Sequence, residues 1–449
     1  MTDLATMPRL THDALPSPGA IPPVRIVHLG LGAFHRSHQA WYTAHAADST
    51  EWGIAAYTGR RPDAATVLES QGCVYTLIER GPESDSFELV GSIVRAVPGD
   101  DVEDFVETLA SPGVAILTLT ITEAGYRLDA NGLPDLSDPD VASDVRILRA
   151  ATSGGEPNPH PVTALGRIIL GLDERRRRNA PPLAIVPCDN LPDNGGTIER
   201  ALLALAELVS TDLATWLPTG VSYVSTSVDR ITPRVDPSDL ALVSTATGWF
   251  DETPVVTEPF SDWVLSGDFP SGRPAWETVG ARFVDDITPW EARKLWLLNG
   301  AHTLLASLGS LRSHVTVAEA IADPVCRERV EALWDDASAQ LPTLDTTEYR
   351  SALLKRFENP RIEHRLEQIA EGSLTKLRLR VVPVAIAERQ AGRNASGCAA
   401  AIAAWILAER NATDAASIAA IVDELSPELG SDVAFLGDVV AAATTLSTP

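Results

Sequence analysis

Basic residues are scarce in this chain. Its 449 residues include 36 Lys and Arg against 61 Asp and Glu, a formal net charge of −25. Nucleic acid and anionic membrane surfaces are gripped by clustered cations, so neither is expected as a general partner. One dense basic run, residues 175–178, follows Asp173-Glu174 and precedes Asn179 and a Pro pair. It reads as a solvated helix end, where cations suit the helix dipole. Cysteine is sparse too: Cys73, Cys188, Cys326 and Cys398 lie far apart, without metal-ligand spacing. That excludes a clustered zinc module and fits free thiols in a reducing compartment. No run of about 18 apolar residues spans a bilayer, and the first residues lack the basic start and apolar core of a secretion signal. A cytoplasmic protein is expected. Oligomeric state is left open, and a monomer is compatible with it.

The chain is 45% hydrophobic and 22% charged, as soluble globular proteins are, and its length suits two domains or three. Residues 1–23 hold five prolines and little periodicity. They read as an arm that lies on a domain or is partly disordered. From Val24 onward, strand and helix patterns alternate. Strands are predicted at 24–29, 52–57, 75–79, 87–94, 114–121, 183–186 and 221–226, with a helix over 34–47. The 114–121 run is continuously apolar with β-branched character, as a strand buried on both faces of a parallel sheet should be. This alternation predicts an α/β fold with a Rossmann-type doubly wound sheet. Past residue 287 the pattern turns helical, with helices predicted at 290–309, 316–321, 325–340, 351–356, 362–370 and 395–409. The expected organisation is an arm (1–23), a dinucleotide-binding domain (24–286) and a mainly α-helical substrate domain (287–449).

Gly30-Leu31-Gly32-Ala33-Phe34-His35 follows the first predicted strand and opens a predicted helix, the setting of a dinucleotide fingerprint. The first glycine permits a tight turn, and the second lets the backbone approach a pyrophosphate. His35 stands where the third glycine is usual. A ribose-binding acid is expected about 20 residues on, after the second strand. There the chain reads Tyr57-Thr58-Gly59-Arg60-Arg61-Pro62-Asp63. Asp63 suits the ribose of NAD, whereas Arg60 or Arg61 suits the 2′-phosphate of NADP. NAD is favoured and NADP stays open.

A second polar constellation lies in an apolar helical pattern, Glu291-Ala-Arg-Lys294-Leu-Trp-Leu-Leu-Asn299-Gly-Ala-His302. Measured around a uniform α-helix from Lys294, Glu291 falls at about 60°, His302 at about 80° and Asn299 at about 140°. The four share one sector. Burying an unpartnered Lys is costly, so a wet or catalytic cleft is the natural place for this face; the alternative is a solvated face with a Glu–Lys pair.

These segments together resemble the mannitol dehydrogenase family, the polyol-specific long-chain dehydrogenases and uronate reductases. Gly30 to Gln39 is similar to the family's N-terminal signature. Thr122-Glu123-Ala-Gly125-Tyr126 is similar to its motif at the end of a central strand. Cys188-Asp189-Asn190-Leu-Pro-Asp-Asn194-Gly195, Val228-Asp229-Arg230-Ile-Thr-Pro233, Glu258-Pro259-Phe260 with Trp263, and Gly272-Arg273-Pro274-Ala-Trp276-Glu277 follow in the family's order. Lys294, Asn299 and His302 have the spacing of its catalytic signature.

The resemblance implies a Rossmann-type cofactor domain, a helical substrate domain, an active site in the cleft between them and metal-independent chemistry. It implies cofactor contacts around Gly30, Gly32, Phe34, His35, Thr122 and Glu123. It makes Lys294 the general base, gives Asn190 and Asn299 the developing alkoxide and gives His302 the orientation of substrate. Glu291 lies on the proton route, and Asp229 lines the cleft. Chemistry agrees: an alcohol losing hydride must also lose a proton to a base within reach, and neutral amides stabilise an oxyanion without competing for that proton.

One segment departs from the family, which commonly reads Asp-Gly-Ser-Gln-Lys-Leu-Pro. Here it is Gln368-Ile-Ala-Glu371-Gly372-Ser373-Leu-Thr-Lys376-Leu-Arg378-Leu-Arg380. Lys376 aligns as a substrate-contacting cation, and Gln368 replaces the Arg of mannitol dehydrogenases, as in the fructuronate reductase branch. In an extended segment Arg378 and Arg380 would share a face and, with Lys376, meet an anionic group; a half-exposed basic strand or helix end is the alternative. The expected substrate is a sugar alcohol or sugar acid: mannitol/fructose or mannonate/fructuronate, with mannitol 1-phosphate as the alternative. A cofactor-binding sensor without catalysis is the reading from another class.

Overall fold

A computed structural model describes residues 7–15, 19–59, 61–155 and 160–447. They divide into two units, Met1–Arg80 with Asp85–Ile287, and Gly81–Ser84 with Thr288–Pro449. The first unit carries β1 (Val24–Leu29), β2 (Gly53–Tyr57), β3 (Tyr75–Arg80), β4 (Asp85–Val90), β5 (Ile93–Val97), β6 (Ile116–Leu119), β7 (Leu183–Pro187), β8 (Val221–Tyr223), β9 (Ser225–Asp229), β10 (Val255–Thr257), β11 (Asp262–Ser266) and β12 (Arg282–Phe283).

Every residue of β6 and β7 is buried. Strands covered on both faces need no polar alternation, and theirs is absent. They lie inside a sheet of order β5-β2-β1-β6-β7-β8 whose neighbours all pair in parallel. That is the Rossmann order, with its topological switch between β1 and β6. Successive side chains of a strand face opposite ways, so the sheet feeds two cores. Val27, Leu29, Leu117, Leu119 and Ile185 join one; Ile26, Ile54, Ile116, Ala184 and Val186 join the other, with Trp263 and Trp276. Two small sheets, β10-β3-β4 and β12-β11-β9, complete the unit.

Two predicted strands are each two strands. The 87–94 run breaks at Gly91-Ser92: β4 pairs antiparallel with β3, while β5 runs parallel to β2 as the edge of the main sheet. Likewise 221–226 divides into β8, beside β7, and β9, beside β11. An apolar run longer than one sheet needs can serve two, and periodicity does not mark the corner. The 34–47 helix also breaks, into Ala33–Ser37 and Gln39–His45, at His38 (φ −119°, ψ −89°). The arm's described part packs on this unit: Phe250 N–H donates to Pro8 O (2.8 Å), Leu10 N–H to Phe250 O (2.9 Å), and Leu10 is fully buried.

The basic run corrects its reading as a solvated helix end. Arg176, Arg177 and Arg178 pair with Asp173, Glu174 and Glu107, but Arg175 is fully buried. Its guanidinium donates to the carbonyls of Leu109, Ser111, Val114 and Pro181 at 2.6–3.0 Å. Loop carbonyls removed from water need donors, and one Arg supplies all four.

The second unit is helical throughout. Its centre is the helix Gly300–Leu311, buried from Gly300 to Gly309, with Ser396–Trp405, whose residues from Gly397 onward are buried. Helices apolar on all sides belong in a core. A Cβ on Gly397 would lie 2.4 Å from the backbone of Ala332 in the helix Pro324–Ala339, so glycine is required at that approach. Two predictions differ here. The helix at 290–309 is interrupted by a π-helical segment, Lys294–Asn299. Residues 376–380 are not extended; they end the helix Ser373–Arg380. Among the described residues, no helix is long and apolar enough to cross a membrane.

Candidate active site

In the first unit, the residues singled out from sequence gather past the carboxyl ends of the parallel strands, where open α/β sheets bind ligands. Gly30 ends β1 with φ +116°, and a Cβ there would lie 2.2 Å from Thr120 O. The turn is tied down by Gly30 N–H and Leu31 N–H, both donating to Tyr57 O (2.9 and 2.8 Å). Gly32 is different. It has an ordinary extended backbone, φ −149° and ψ −175°, and an added Cβ would meet only Gly30 O at 3.5 Å. The fold requires Gly30. Nothing in the fold requires Gly32, whose missing side chain leaves room for a ligand lying on the backbone.

Thr122 and Glu123 follow β6, exposed, at the start of the short helix Glu123–Tyr126. Asn190 is exposed on the loop after β7. Its neighbours pin that loop: Tyr126 O–H donates to Asp189, and buried Asn194 donates to Thr226 O (3.0 Å) while accepting from Thr226 N–H (2.9 Å). Burial pushes the Asp189 carboxyl above its ordinary range. Asp229 ends β9 and is buried. Phe34 is half-buried, its ring stacked on His38. Asp63, exposed, opens the helix Asp63–Ser70 rather than ending β2. Arg61 is exposed, and Arg60 lies outside the described residues.

His35 takes the third-glycine position by stacking, not by smallness. Its fully buried ring lies on that of His28, centroids 3.3 Å apart and 7° from coplanar. His28 Nδ1 is 2.8 Å from Thr118 Oγ1, and its Nε2 is 3.1 Å from Thr120 Oγ1. Thr120 O–H donates to Gly30 O (2.8 Å), so its oxygen accepts from His28 Nε2–H, and Nδ1 accepts from Thr118 O–H. A chain of bonds thus runs from β6 through His28 to the carbonyl of the tight turn. It requires a neutral imidazole, and burial lowers the His28 pKa from 6.5 to about 3; burial also holds His35 well below 6.5.

A pH dependence follows. The unfolded chain binds these protons near 6.5 and the folded one does not, so the stabilisation is complete above 6.5 and is lost as pH falls toward about 3. Each unit of depression is worth about 1.4 kcal/mol. The melting temperature is expected to fall steadily from pH 6.5 to 4, and His28→Asn to flatten that slope even if it lowers the plateau. Equal slopes in both proteins would show that His28 does not carry the effect.

In the second unit, Glu291, Lys294 and Asn299 are half-buried and His302 is buried. The His302 ring packs against Phe357 (5.0 Å) and, edge-on, His364 (4.7 Å). Its Nε2 is buried with no hydrogen-bond partner among the described residues. Burial first, then the neighbouring His364 ring and the cations Arg356, Arg380 and Lys376, hold this imidazole well below its ordinary pKa. Gln368 is exposed on the helix Leu366–Ala370. Lys376 Nζ reaches back to Ile369 O (2.8 Å).

On the helix Ser373–Arg380 the two arginines face apart. Arg378 donates to Glu424 O (2.8 Å) and Leu425 O (3.3 Å), and Arg380 to Asn299 O (3.2 Å) and Thr303 Oγ1 (3.0 Å). The shared basic face expected of an extended segment is therefore not formed. Among the described residues, one trio of ligand-type residues, His314, Asp323 and Cys326, has its ligand atoms within 4.8 Å of one another. There the Asp323 oxygens already accept from Arg312, His314 and Val325 N–H.

Arg356 and His364 escaped the sequence reading because neither belongs to a periodic or glycine-marked pattern; only the fold brings them to His302. A signal for Lys294 and Lys376 does exist. The chain has three lysines, Lys294, Lys355 and Lys376, among 36 basic residues. Where arginine is the default cation, a lysine marks places that need a compact or titratable amine.

Comparison with known proteins covers both units. Residues 24–278 match the mannitol dehydrogenase Rossmann domain, and residues 286–447 the mannitol dehydrogenase C-terminal domain. The D-mannonate oxidoreductase of Escherichia coli (strain K12) is 35% identical over 418 residues, 90% of this chain and 84% of that protein. The structure of Pseudomonas fluorescens mannitol 2-dehydrogenase in ternary complex with NAD and D-mannitol is 31% identical, with a TM-score of 0.73 over 99% of this chain and 93% of that one. A substrate-free D-sorbitol dehydrogenase is 25% identical, with a TM-score of 0.84 over 98% of this chain and 95% of that one. With both domain models matched in order and these relatives covered over most of their length, the chain belongs to the mannitol dehydrogenase family, as an oxidoreductase built of a Rossmann domain and the family's C-terminal domain.

Proposed function

We propose that the chain is a cytoplasmic, NAD-dependent dehydrogenase that interconverts a sugar acid and its keto acid, with mannonate and fructuronate as the leading pair. The observation that carries this reading is His302 Nε2, buried and without a hydrogen-bond partner among the described residues, on the helix that follows Lys294 and Asn299. Buried polar atoms find hydrogen bonds, and a substrate hydroxyl supplies the missing one. The cations around His302 favour a substrate with a negative end. Gln368 in place of the mannitol dehydrogenase Arg, and the extent of the match to the mannonate oxidoreductase, support the acid.

The residues divide the work. NAD, when bound, is the hydride acceptor for alcohol oxidation. Gly30, Gly32, Phe34, Thr122, Glu123 and Asp63 hold it, and His35 supports the turn from beneath. The neutral amine of Lys294 takes the proton of the reacting hydroxyl. The amides of Asn299 and Asn190 donate to the oxygen as charge develops, each such donor being worth about 3 kcal/mol. His302 orients the neighbouring hydroxyl, Asp229 binds the sugar chain, and Glu291 passes the proton on from Lys294. The Lys376 ammonium, held beside Gln368 by Ile369 O, meets the substrate carboxylate.

Oxidation of mannonate, mannitol and mannitol 1-phosphate, each with NAD and NADP, tests this. Mannonate with NAD is expected to give the highest kcat/KM, and Lys376→Met to raise the KM for mannonate about tenfold or more, the loss of one charge-assisted bond, with little change for mannitol. Preference for mannitol or its phosphate would replace the acid by that substrate. Cofactor binding without turnover of any polyol or aldonate would leave a sensor.

A further inference from the structure

The six residues Lys294–Asn299 form a π-helical turn between the α-helices Thr288–Arg293 and Gly300–Leu311. Such a turn inserts a residue, widens the helix and is concentrated at functional sites. Each of its residues advances by about 80°, less than the α-helical step. Over the five steps from Lys294 to Asn299 the shortfall accumulates to about 100°, and His302 inherits it. Measured from Lys294, Asn299 then falls at about 40° and His302 at about −20°. With Glu291 at about 60°, the four polar groups occupy a sector of about 80°, where a straight α-helix would spread them over about 140°. The π turn is what aligns them.

Three side chains donate to two carbonyls of this turn. Trp334, fully buried in the helix Pro324–Ala339, donates its indole N–H to Leu297 O at 2.8 Å. Asn299 O, at the end of the turn, accepts from Arg380 (3.2 Å) and from Thr303 O–H (3.0 Å), and Arg380 also donates to Thr303 Oγ1 (3.0 Å). Arg380, Thr303 and the Asn299 carbonyl form a closed triangle. The Asn299 side chain issues from the same residue as that carbonyl, so fixing one fixes the azimuth of the other.

We propose that Arg380 is a positioning residue, which acts through the backbone of Asn299 to hold the π turn, and is not the contact for the substrate's anionic end. This rests on the function proposed above, since the alignment matters only if Lys294 and Asn299 act on one oxygen. Arg380 is then needed equally for acidic and neutral substrates, whereas Lys376 is needed only for the acid.

Arg380→Gln, measured on mannonate and mannitol at saturating NAD, separates the possibilities. The expected result is a kcat lower by about 10- to 100-fold on both substrates, of the order of losing one oriented donor, with each KM within threefold of wild type. Arg380→Lys should recover part of the kcat, because one nitrogen, Nη1, makes both bonds and an ammonium can donate in its place, though from a differently shaped side chain. Thr303→Val, close in shape, should lower kcat less, and the double variant should lose little beyond Arg380→Gln, as partners in one network do. A KM for mannonate raised tenfold with mannitol oxidation unchanged would make Arg380 the anion contact and overturn the proposal. So would an unchanged kcat. Absence of wild-type turnover on the whole panel would count against the function, and hydrogen exchange would then decide the positioning separately. Faster exchange at 294–303 in Arg380→Gln, with Pro324–Ala339 unchanged, would support it, and no change would reject it.

Discussion

Lys294→Ala lowers kcat by about 10²- to 10⁴-fold, the range supplied by a positioned general base, and leaves the dissociation constant for NAD within about twofold. The two effects separate because Lys294 lies on the helical unit and the glycine turn on the Rossmann unit. Lys294→Arg is the sharper control. Arginine keeps the positive charge and most of the volume but does not deprotonate near neutral pH, so a base at this position predicts an Arg variant nearly as inactive as the Ala variant. A role in charge alone predicts that Arg restores turnover. Small primary amines added to Lys294→Ala are expected to recover measurable rate, because the deleted group is then replaced in kind. Wild-type turnover in Lys294→Ala at its optimal pH would remove the lysine from the proton-transfer step.

What the sequence showed of this fold depended on how local each signal was. The strand at 114–121, the glycine turn and the helical second half rest on patterns a few residues long, and the structure contains all three. Errors fell where one pattern had to serve two neighbours. The apolar stretches at 87–94 and 221–226 each supply two sheets, and the corner between them is set by packing partners far away in sequence. Arg175 sits in a run whose other three members form ion pairs with nearby acids, so nothing local distinguishes the one that gathers four carbonyls.

The polar helix face shows both sides. Its residues and spacing are legible in the sequence, but the angles follow only from a uniform α-helical step, and the π turn changes every angle past Lys294. A π turn has no composition of its own. It is stabilised by groups such as Trp334 and Arg380, which lie 37 and 81 residues from the carbonyls they bind. The same holds for the surroundings of His302, assembled from Phe357, His364, Lys376 and Arg380 by the docking of separate helices.

The glycine turn predicts different losses at two nearby positions, stability at one and cofactor affinity at the other. Gly30→Ala places a Cβ 2.2 Å from a backbone carbonyl, Thr120 O, at φ +116°. The strained backbone alone costs about 1–3 kcal/mol, and the carbonyl cannot yield without breaking the Thr118–His28–Thr120–Gly30 chain. The variant is expected to melt at least about 5 °C lower, at a few degrees per kcal/mol, or to fail to accumulate as folded protein. Gly32→Ala has no such obstacle, since its backbone is ordinary and the nearest atom to its new Cβ is 3.5 Å away. It should melt within about 1 °C of wild type, as surface changes with small energies do, yet bind NAD at least tenfold more weakly, a loss of about 1.4 kcal/mol. Calorimetry on the two variants, with and without NAD, reads both effects. If Gly32→Ala bound NAD as wild type does, the turn would be a structural corner and the dinucleotide would have to lie elsewhere. If it lost stability as Gly30→Ala does, its glycine would be explained by the fold, and the turn would give no ground for a ligand there.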